Sequence, residues 1–157
     1  MITFRRMGPA LLMAVAILLS TITLSGCEKS QVKRAAQASG RAARAASIAV
    51  DIEQTLTIGG VISQEESQRL APALVCLKRT TSSLSDTIRS YADHNEITPS
   101  ARSEVFDKLS AVSAILSVLS VEALPLVKST EARRKLASLL AAVNVSVAVI
   151  SEALDSF

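Results

Sequence analysis

The sequence predicts an all-α protein, an antiparallel four-helix bundle that follows a cleaved N-terminal leader. Three observations predict this fold class. The chain of 157 residues is 49% hydrophobic but only 3% aromatic, so its core consists of Leu, Val, Ile and Ala, which suit helix-on-helix packing. Apolar residues recur at helical spacing in three successive segments. Helix start and stop signals fall between these segments.

The three segments share one pattern, in which apolar residues step by four and three positions alternately. Such steps place one side chain per turn along a single face, as in a helical bundle. Phe106, Ile115 and Val118 widen the face of the third helix, which favours a bundle over a two-helix seam. The predicted core positions are Leu70, Leu74, Leu77, Thr81, Leu84, Ile88 and Tyr91 in the second helix, Val105, Leu109, Val112, Leu116, Leu119 and Ala123 in the third, and Leu136, Leu140, Val143, Val147, Ile150 and Leu154 in the fourth.

Stop signals divide the helices. Gly59 and Gly60 end the first, Asn95 is a left-handed cap candidate for the second, and Pro125 breaks the third. Pro72 predicts a kink or a short separate turn inside the second helix.

Start signals follow each stop. Ser63 and Glu66 fit a capping box, and Thr98 precedes a proline at the first helical position. Ser129 or Thr130 opens the fourth helix.

The first helix, predicted from about Lys29 to Thr57, is rich in alanine and carries basic residues mostly on the side opposite the alanines. One interpretation is ordinary solvated charge. The other is contact with the phosphates of anionic phospholipid or lipopolysaccharide, since a basic side chain beside an anionic surface contributes roughly 1 kcal/mol. These residues are Lys29, Lys33, Arg34, Arg41 and Arg44.

The first 27 residues have the three parts of a secretory signal: the positive stretch "MITFRRM", the apolar stretch "GPALLMAVAILLSTIT", and small residues before a cysteine. Leu24, Ser25, Gly26 and Cys27 resemble the lipobox of bacterial lipoproteins. The alternatives are an uncleaved membrane helix over residues 8–25, which is short for a span, and a twin-arginine export signal, although the usual residues after the arginine pair are missing.

The resemblance to bacterial lipoproteins implies the fate of the leader and of Cys27. Residues 1–26 would be removed as a signal peptide, leaving residues 27–157 as a periplasmic helical-bundle domain. The Cys27 thiol would carry a diacylglyceryl group, and its new amine an N-acyl chain. Glu28 stands where Asp is the familiar inner-membrane retention signal, which favours the periplasmic face of the outer membrane in a Gram-negative cell.

The charge of the chain argues against nucleic acid as a partner. The formal net charge is +3, and removal of residues 1–26 takes Arg5 and Arg6 away, which leaves 15 basic and 14 acidic residues. Nucleic-acid binders keep a strongly basic face.

Cys76 is the second cysteine, and it is predicted to be a small buried hydrophobic residue on a helix. Because Cys27 is taken by lipid in this interpretation, Cys76 has no partner within the chain, and an intermolecular disulfide is the alternative. A catalytic thiol would need a base, and His94 is the single histidine.

The fourth helix contains an uncharged run from Leu136 to Ile150. It is predicted to lie in the middle of the bundle or to pack its surplus face on another subunit or an envelope protein partner.

No catalytic or metal-binding constellation is evident, so the sequence predicts a protein that is not an enzyme and needs no cofactor beyond its lipid. The run from Asp93 to Glu96 contains metal-ligand types, but consecutive positions cannot converge on one ion. The expected function is a structural or protein-interaction role at the cell envelope. The alternative is a chaperone resembling the pilotins, lipoproteins that escort secretion-system subunits by gripping a partner helix, although helical pilotins carry a disulfide.

Overall fold

The computed structural model describes residues 9–94 and 98–155, and for residues 9–29 and 94 it describes the backbone alone. The elements are α1 (Pro9–Ile58), α2 (Gln64–His94), α3 (Pro99–Val118), a π-helical segment (Leu119–Ala123), a 3₁₀ turn (Leu124–Leu126) and α4 (Thr130–Asp155). Every element in these ranges is helical, so the predicted all-α class with four long helices is confirmed.

The helices pack as a bundle around a core made by all four. Helix α1 packs against α2 and α4, and α3 packs against α2 and, less extensively, against α4. All the predicted core positions of α2, α3 and α4 are buried except Tyr91, which is half-buried. The prediction for Val118 is wrong: its side chain is 44% exposed. Successive residues of an α-helix are about 100° apart around its axis. When Leu116 and Leu119 face the core, Val118 therefore faces solvent.

Helix α1 contributes an alanine face to the core. Small side chains let neighbouring helix backbones lie close, because the interaxial distance follows the side chains at the contact. The buried alanines of this face are Ala35, Ala38, Ala42, Ala45, Ala46 and Ala49.

The predicted end of α1 is confirmed. Gly60 has φ of 69°, a left-handed conformation that glycine adopts without steric penalty. The N–H groups of Val61 and Ile62 both donate to the carbonyl of Leu56, which satisfies the last turn.

The predicted starts of α3 and α4 are confirmed as well. The Thr98 hydroxyl accepts from the N–H of Ala101 at 3.2 Å, and Pro99 occupies the first turn. The Ser129 hydroxyl accepts from the N–H of Ala132 at 3.3 Å, which makes Ser129 rather than Thr130 the cap of α4. The cap proposed at Asn95 lies outside the described residues.

Pro72 lies inside α2 without producing a separate turn, so that part of the prediction is wrong. Proline cannot donate the hydrogen bond to the carbonyl four residues earlier. Gln68 and Pro72 are both exposed, so this interruption of the hydrogen-bond ladder lies on the solvent side of α2, and the helix continues through it.

The capping box of α2 also holds two parts of the bundle together. The N–H of Ser63 donates to Glu66 at 2.7 Å, and the N–H of Glu66 donates to the Ser63 hydroxyl at 3.3 Å. The other Glu66 oxygen accepts from the N–H of Lys128 at 2.8 Å, which joins the start of α2 to the segment before α4. The hydrogen bonds from the Ser63 and Lys128 backbone lower the pKa of Glu66 from 4.5 to about 2.

We expect Glu66→Gln to destabilise the protein at neutral pH and to lose that effect in acid. The lowered pKa of Glu66 means that its carboxylate stabilises the fold above pH 4.5, and that this contribution disappears as the pH falls towards 2. Urea unfolding of wild type and variant at pH 7 and near pH 2 measures the difference. Glu65→Gln is the control, because Glu65 makes only an exposed ion pair with Arg69 at 3.3 Å. An equal deficit of Glu66→Gln at both pH values would contradict the assignment.

Candidate functional site

The residues of the predicted lipid-attachment site lie outside the described side chains. Leu24, Ser25, Gly26, Cys27 and Lys29 fall in the part of α1 for which only the helical backbone is described. Their proposed roles stay predictions.

The other basic residues of α1 are placed where the sequence predicted, on the solvent side opposite the alanine face. Lys33, Arg34, Arg41 and Arg44 are all exposed. Arg34 lies 3.9 Å from Glu152 of α4, an exposed pair that contributes little to stability. Within the described residues, Lys33, Arg41 and Arg44 have no acidic side chain at ion-pair distance, so they are available to an external anion.

Cys76 is exposed, and the prediction of a buried residue is wrong. Its neighbours Leu74 and Leu77 face the core, and the intervening positions 75 and 76 face solvent. The thiol is therefore accessible on the outer face of α2.

A concave groove lies between α3 and α4. Its volume is about 450 Å³. Leucine and alanine side chains form the apolar part, and Ser and Asn side chains form the polar part, so the groove combines apolar surface with hydroxyl and amide groups. The lining residues are Ser113, Leu116, Ser117, Ser120, Leu124, Ala137, Leu140, Ala141 and Asn144.

The groove exists because α3 and α4 pack together less extensively than the other neighbouring pairs. At the groove both helices present mainly small side chains, which leave the space between them open. The irregular end of α3 also lines it: in the π-helical segment the N–H of Leu124 donates to the carbonyl of Leu119, five residues earlier. Pro125 has no N–H to continue the α-helical ladder. Short π-helical segments of this kind are frequent at functional sites.

The lining of the groove is uncharged, and so are the helix stretches that contribute most of it. No charged residue occurs in residues 109–121 or 136–151. Val121, which is 71% exposed, lies one turn from Ser117, and Val145, which is 64% exposed, lies one turn from Ala141. The groove is therefore continuous with apolar surface.

Helix α4 does not lie in the middle of the bundle, so that expectation is wrong. One side packs in the core and the other faces solvent, because α1 and α3 cover only part of its circumference. The exposed residues of its uncharged run are Ser138, Ala141, Ala142, Asn144, Val145 and Ala148.

Two helical stretches, Pro99–Leu126 and Thr130–Asp155, are long and apolar enough to cross a membrane by length and composition. Their most apolar windows are 33% and 39% buried. Core helices of a bundle have the same composition, so this property alone is weak evidence of membrane association.

Glu104, near the start of α3, has a structural role. Glu104 accepts from the Tyr91 hydroxyl at 2.9 Å and pairs with Lys108 at 3.3 Å, which joins α2 to α3. The Tyr91 hydrogen bond, followed by that of Lys108, lowers the pKa of Glu104, and the same hydrogen bond to Glu104 raises the pKa of Tyr91.

The sequence reasoning missed Glu53, an acidic residue of α1 that is only 2% exposed. The Thr57 hydroxyl donates to its carboxylate at 3.0 Å. The sequence did carry a signal of this burial: Glu53 continues the alanine-rich core face of α1 and lies one turn before Thr57.

Among the described side chains, residues 30–93 and 98–155, no group of three or more His, Cys, Asp or Glu could hold a metal ion. The His94 side chain, Asn95 and Glu96 lie outside that description. No family model matches the chain, and the searches of curated proteins and of solved structures give no match either.

Proposed function

We propose that the protein is a lipid-anchored helical protein of the bacterial periplasm with a protein-interaction role at the cell envelope, and that the α3–α4 groove docks an apolar helix of its partner. The observation that carries the proposal is the groove of about 450 Å³, none of whose lining residues is charged. Cys27 carries the anchor, on the outer membrane, and the domain of residues 27–157 carries the groove. The protein catalyses no reaction and needs no cofactor.

The groove selects the kind of partner by its chemistry. An uncharged wall cannot compensate a charged side chain that loses water on binding, so the face of the partner that enters must be apolar. The small side chains on α3 and α4 leave room for the larger apolar residues of a helix, in the helix-in-groove mode of recognition. Ser and Asn side chains supply hydrogen bonds for a few polar groups.

The helix contacts support a position of this groove away from the proposed anchor. We infer an antiparallel bundle, supported by contacts between opposite helix ends: Arg34 near the start of the domain with Glu152 near the end of α4, and Arg102 at the start of α3 with Asp155 at 3.9 Å. The groove lies along the second half of α3, the turns that follow it and the first half to middle of α4, away from these two contacts. Acyl chains at Cys27 would then hold the groove at high effective concentration beside membrane-bound partners.

Site-specific photocrosslinking in cells tests the groove. A photoreactive amino acid at Ser117 or Ala141 should capture one envelope protein, and the captured segment, mapped by mass spectrometry, should be a helix with an uncharged face. The same amino acid at Arg79, which is exposed on α2, should not capture that protein. A captured segment that is charged or non-helical, or equal capture from Arg79, would overturn the proposal.

A charge placed in the groove provides the matched variant. We expect Ala141→Arg to reduce crosslinking from Ser117 by about tenfold or more, because a buried unpaired charge opposes docking. Ala142→Arg should leave crosslinking unchanged, since Ala142 is exposed on the same helix but does not line the groove. Capture of a second copy of this chain, lost in Ala141→Arg, would assign the groove to self-association instead.

The second candidate is a pilotin-like chaperone, favoured specifically by a groove of a size that accepts part of a helix. In that case the captured protein is an outer-membrane or secretion-system subunit, and deletion of this protein leaves that subunit outside the outer membrane. Correct localisation of the captured subunit in the deletion strain would refute this candidate.

A further inference from the structure

A second cleft, between α1 and α2, combines both signs of charge with hydroxyl groups. Its volume is about 250 Å³. Helix α1 supplies one guanidinium and mainly small residues, and α2 supplies a second guanidinium, a carboxylate and two hydroxyls. The lining residues are Gly40, Ala43, Arg44, Ser47, Ser82, Ser85, Asp86 and Arg89.

Helical spacing explains why this cleft forms. Gly40, Ala43 and Ser47 follow one another at intervals of three and four on α1, and Ser82, Ser85 and Asp86 face them from α2. Small side chains on both helices leave a gap above the core. The buried Ser39 hydroxyl donates to the carbonyl of Ala36 at 2.9 Å and lies 3.4 Å from the hydroxyl of Ser85, a lining residue of the cleft.

Gly40 makes room for a guanidinium. A Cβ atom at this position would lie 3.2 Å from Nη2 of Arg89, tighter than ordinary van der Waals contact. Arg89 therefore lies directly over the α1 backbone, on the same cleft as Arg44. Alanine would favour the helix at this position, so the glycine has a stability cost that the placement of Arg89 explains.

The charged groups of the cleft are not satisfied by one another. Among the described side chains, no acidic oxygen lies within 4.0 Å of the Arg44 or Arg89 nitrogens, and Asp86 has no basic nitrogen within that distance. Two guanidiniums provide the planar donor geometry that binds phosphate oxygens. The serine hydroxyls add donors, and the Asp86 carboxylate accepts from a cationic group.

We infer that this cleft binds a phosphoethanolamine group, with the phosphate on Arg44 and Arg89 and the ammonium on Asp86. A plain anion would use the guanidiniums but would be repelled by Asp86, whereas a zwitterion is complementary to all three side chains. The group could come from a phospholipid headgroup or from a soluble metabolite, which share this chemistry. The inference does not rest on the α3–α4 groove, which lies between a different pair of helices.

Calorimetric titration of the full chain in a non-ionic detergent tests the cleft. Phosphoethanolamine should bind saturably and more tightly than phosphoglycerol or inorganic phosphate. Arg44→Gln and Arg89→Gln should each weaken binding about tenfold or more, as loss of a charge-assisted hydrogen bond predicts. Arg79→Gln, an exposed arginine of α2 outside the cleft, should bind like wild type.

Two further variants test the ammonium site at Asp86 and the position of Arg89 over Gly40 separately. Asp86→Asn should remove the preference for phosphoethanolamine over phosphoglycerol while phosphate-dependent binding persists. Gly40→Ala should raise the thermal stability of the chain yet weaken binding, because its methyl group, 3.2 Å from Nη2 of Arg89, must shift the end of that side chain in the cleft.

A comparison with a short-chain lipid distinguishes a phospholipid headgroup from a soluble metabolite as the source of the bound group. Tighter binding of dihexanoyl phosphatidylethanolamine than of phosphoethanolamine assigns the cleft to lipid, and equal affinities assign it to the soluble group. No saturable binding, unchanged binding in both arginine variants, or inorganic phosphate binding as tightly as phosphoethanolamine would overturn the inference. The groove proposal is tested by crosslinking and is unaffected by any of these results.

Discussion

Cys27→Ser is expected to abolish incorporation of labelled palmitate and to leave the full-length precursor unprocessed. The Cys27 sulfur would form the thioether with the diacylglyceryl group, and a serine hydroxyl in its place is a much weaker nucleophile. Two or three acyl chains give a stable anchor, since each buried CH₂ contributes about 0.8 kcal/mol and one chain alone is marginal. Metabolic labelling followed by electrophoresis measures both the label and the change in size.

Cys76→Ser is the matched control for this prediction. Cys76 is the other cysteine of the chain and is exposed on α2, outside the leader. Its replacement should leave palmitate labelling and processing intact. Labelling that persists in Cys27→Ser would refute the lipid anchor, and loss of labelling in Cys76→Ser alone would move the attachment site to α2.

Leu77→Ala is expected to lower the free energy of unfolding by about 2–5 kcal/mol, the range for removing a buried leucine side chain and leaving a cavity. Leu77 is 0% exposed and lies in the middle of α2, within the core cluster to which all four helices contribute. Chemical denaturation followed by circular dichroism measures the change. A loss of this size is a large part of the stability of a small domain, which is typically about 5–15 kcal/mol.

Val75→Ala provides the comparison two residues away on the same helix. Val75 is 43% exposed, so its truncation should change the free energy of unfolding by no more than about 0.5 kcal/mol. Equal losses for Leu77→Ala and Val75→Ala would mean that α2 does not bury the face assigned to it.

Several parts of the fold could be predicted from the sequence because they are decided over three to seven residues. The alternating steps of four and three fix which face of a helix is apolar, and the predicted face is the buried one in α2, α3 and α4. The capping box at Ser63 and Glu66 and the hydroxyl cap at Thr98 are equally local. In each cap a side-chain oxygen accepts from an N–H group three residues away, whatever the rest of the chain does.

Two of the wrong predictions of burial have different causes, one because the helical pattern was not applied and one because burial depended on helices distant in the sequence. Cys76 was assigned to the core from the general preference of cysteine, although the four-three pattern through Leu74 and Leu77 already turns position 76 outward. The uncharged run of α4 could not reveal how much of its circumference α1 and α3 cover. Its outer face is exposed because only those two helices pack against it to any extent.

The two candidate binding surfaces belong to the tertiary structure. Arg44 and Arg89 are 45 residues apart in the sequence, and Ser117 and Ala141 are separated by the turn between α3 and α4, so no local pattern joins either pair. What the sequence by itself determined is the helical class, the buried faces and most helix ends, because side-chain periodicity and capping act within one or two turns. The tertiary structure decided which helices meet closely and which leave a groove, because that depends on the sizes of side chains brought together from distant parts of the chain.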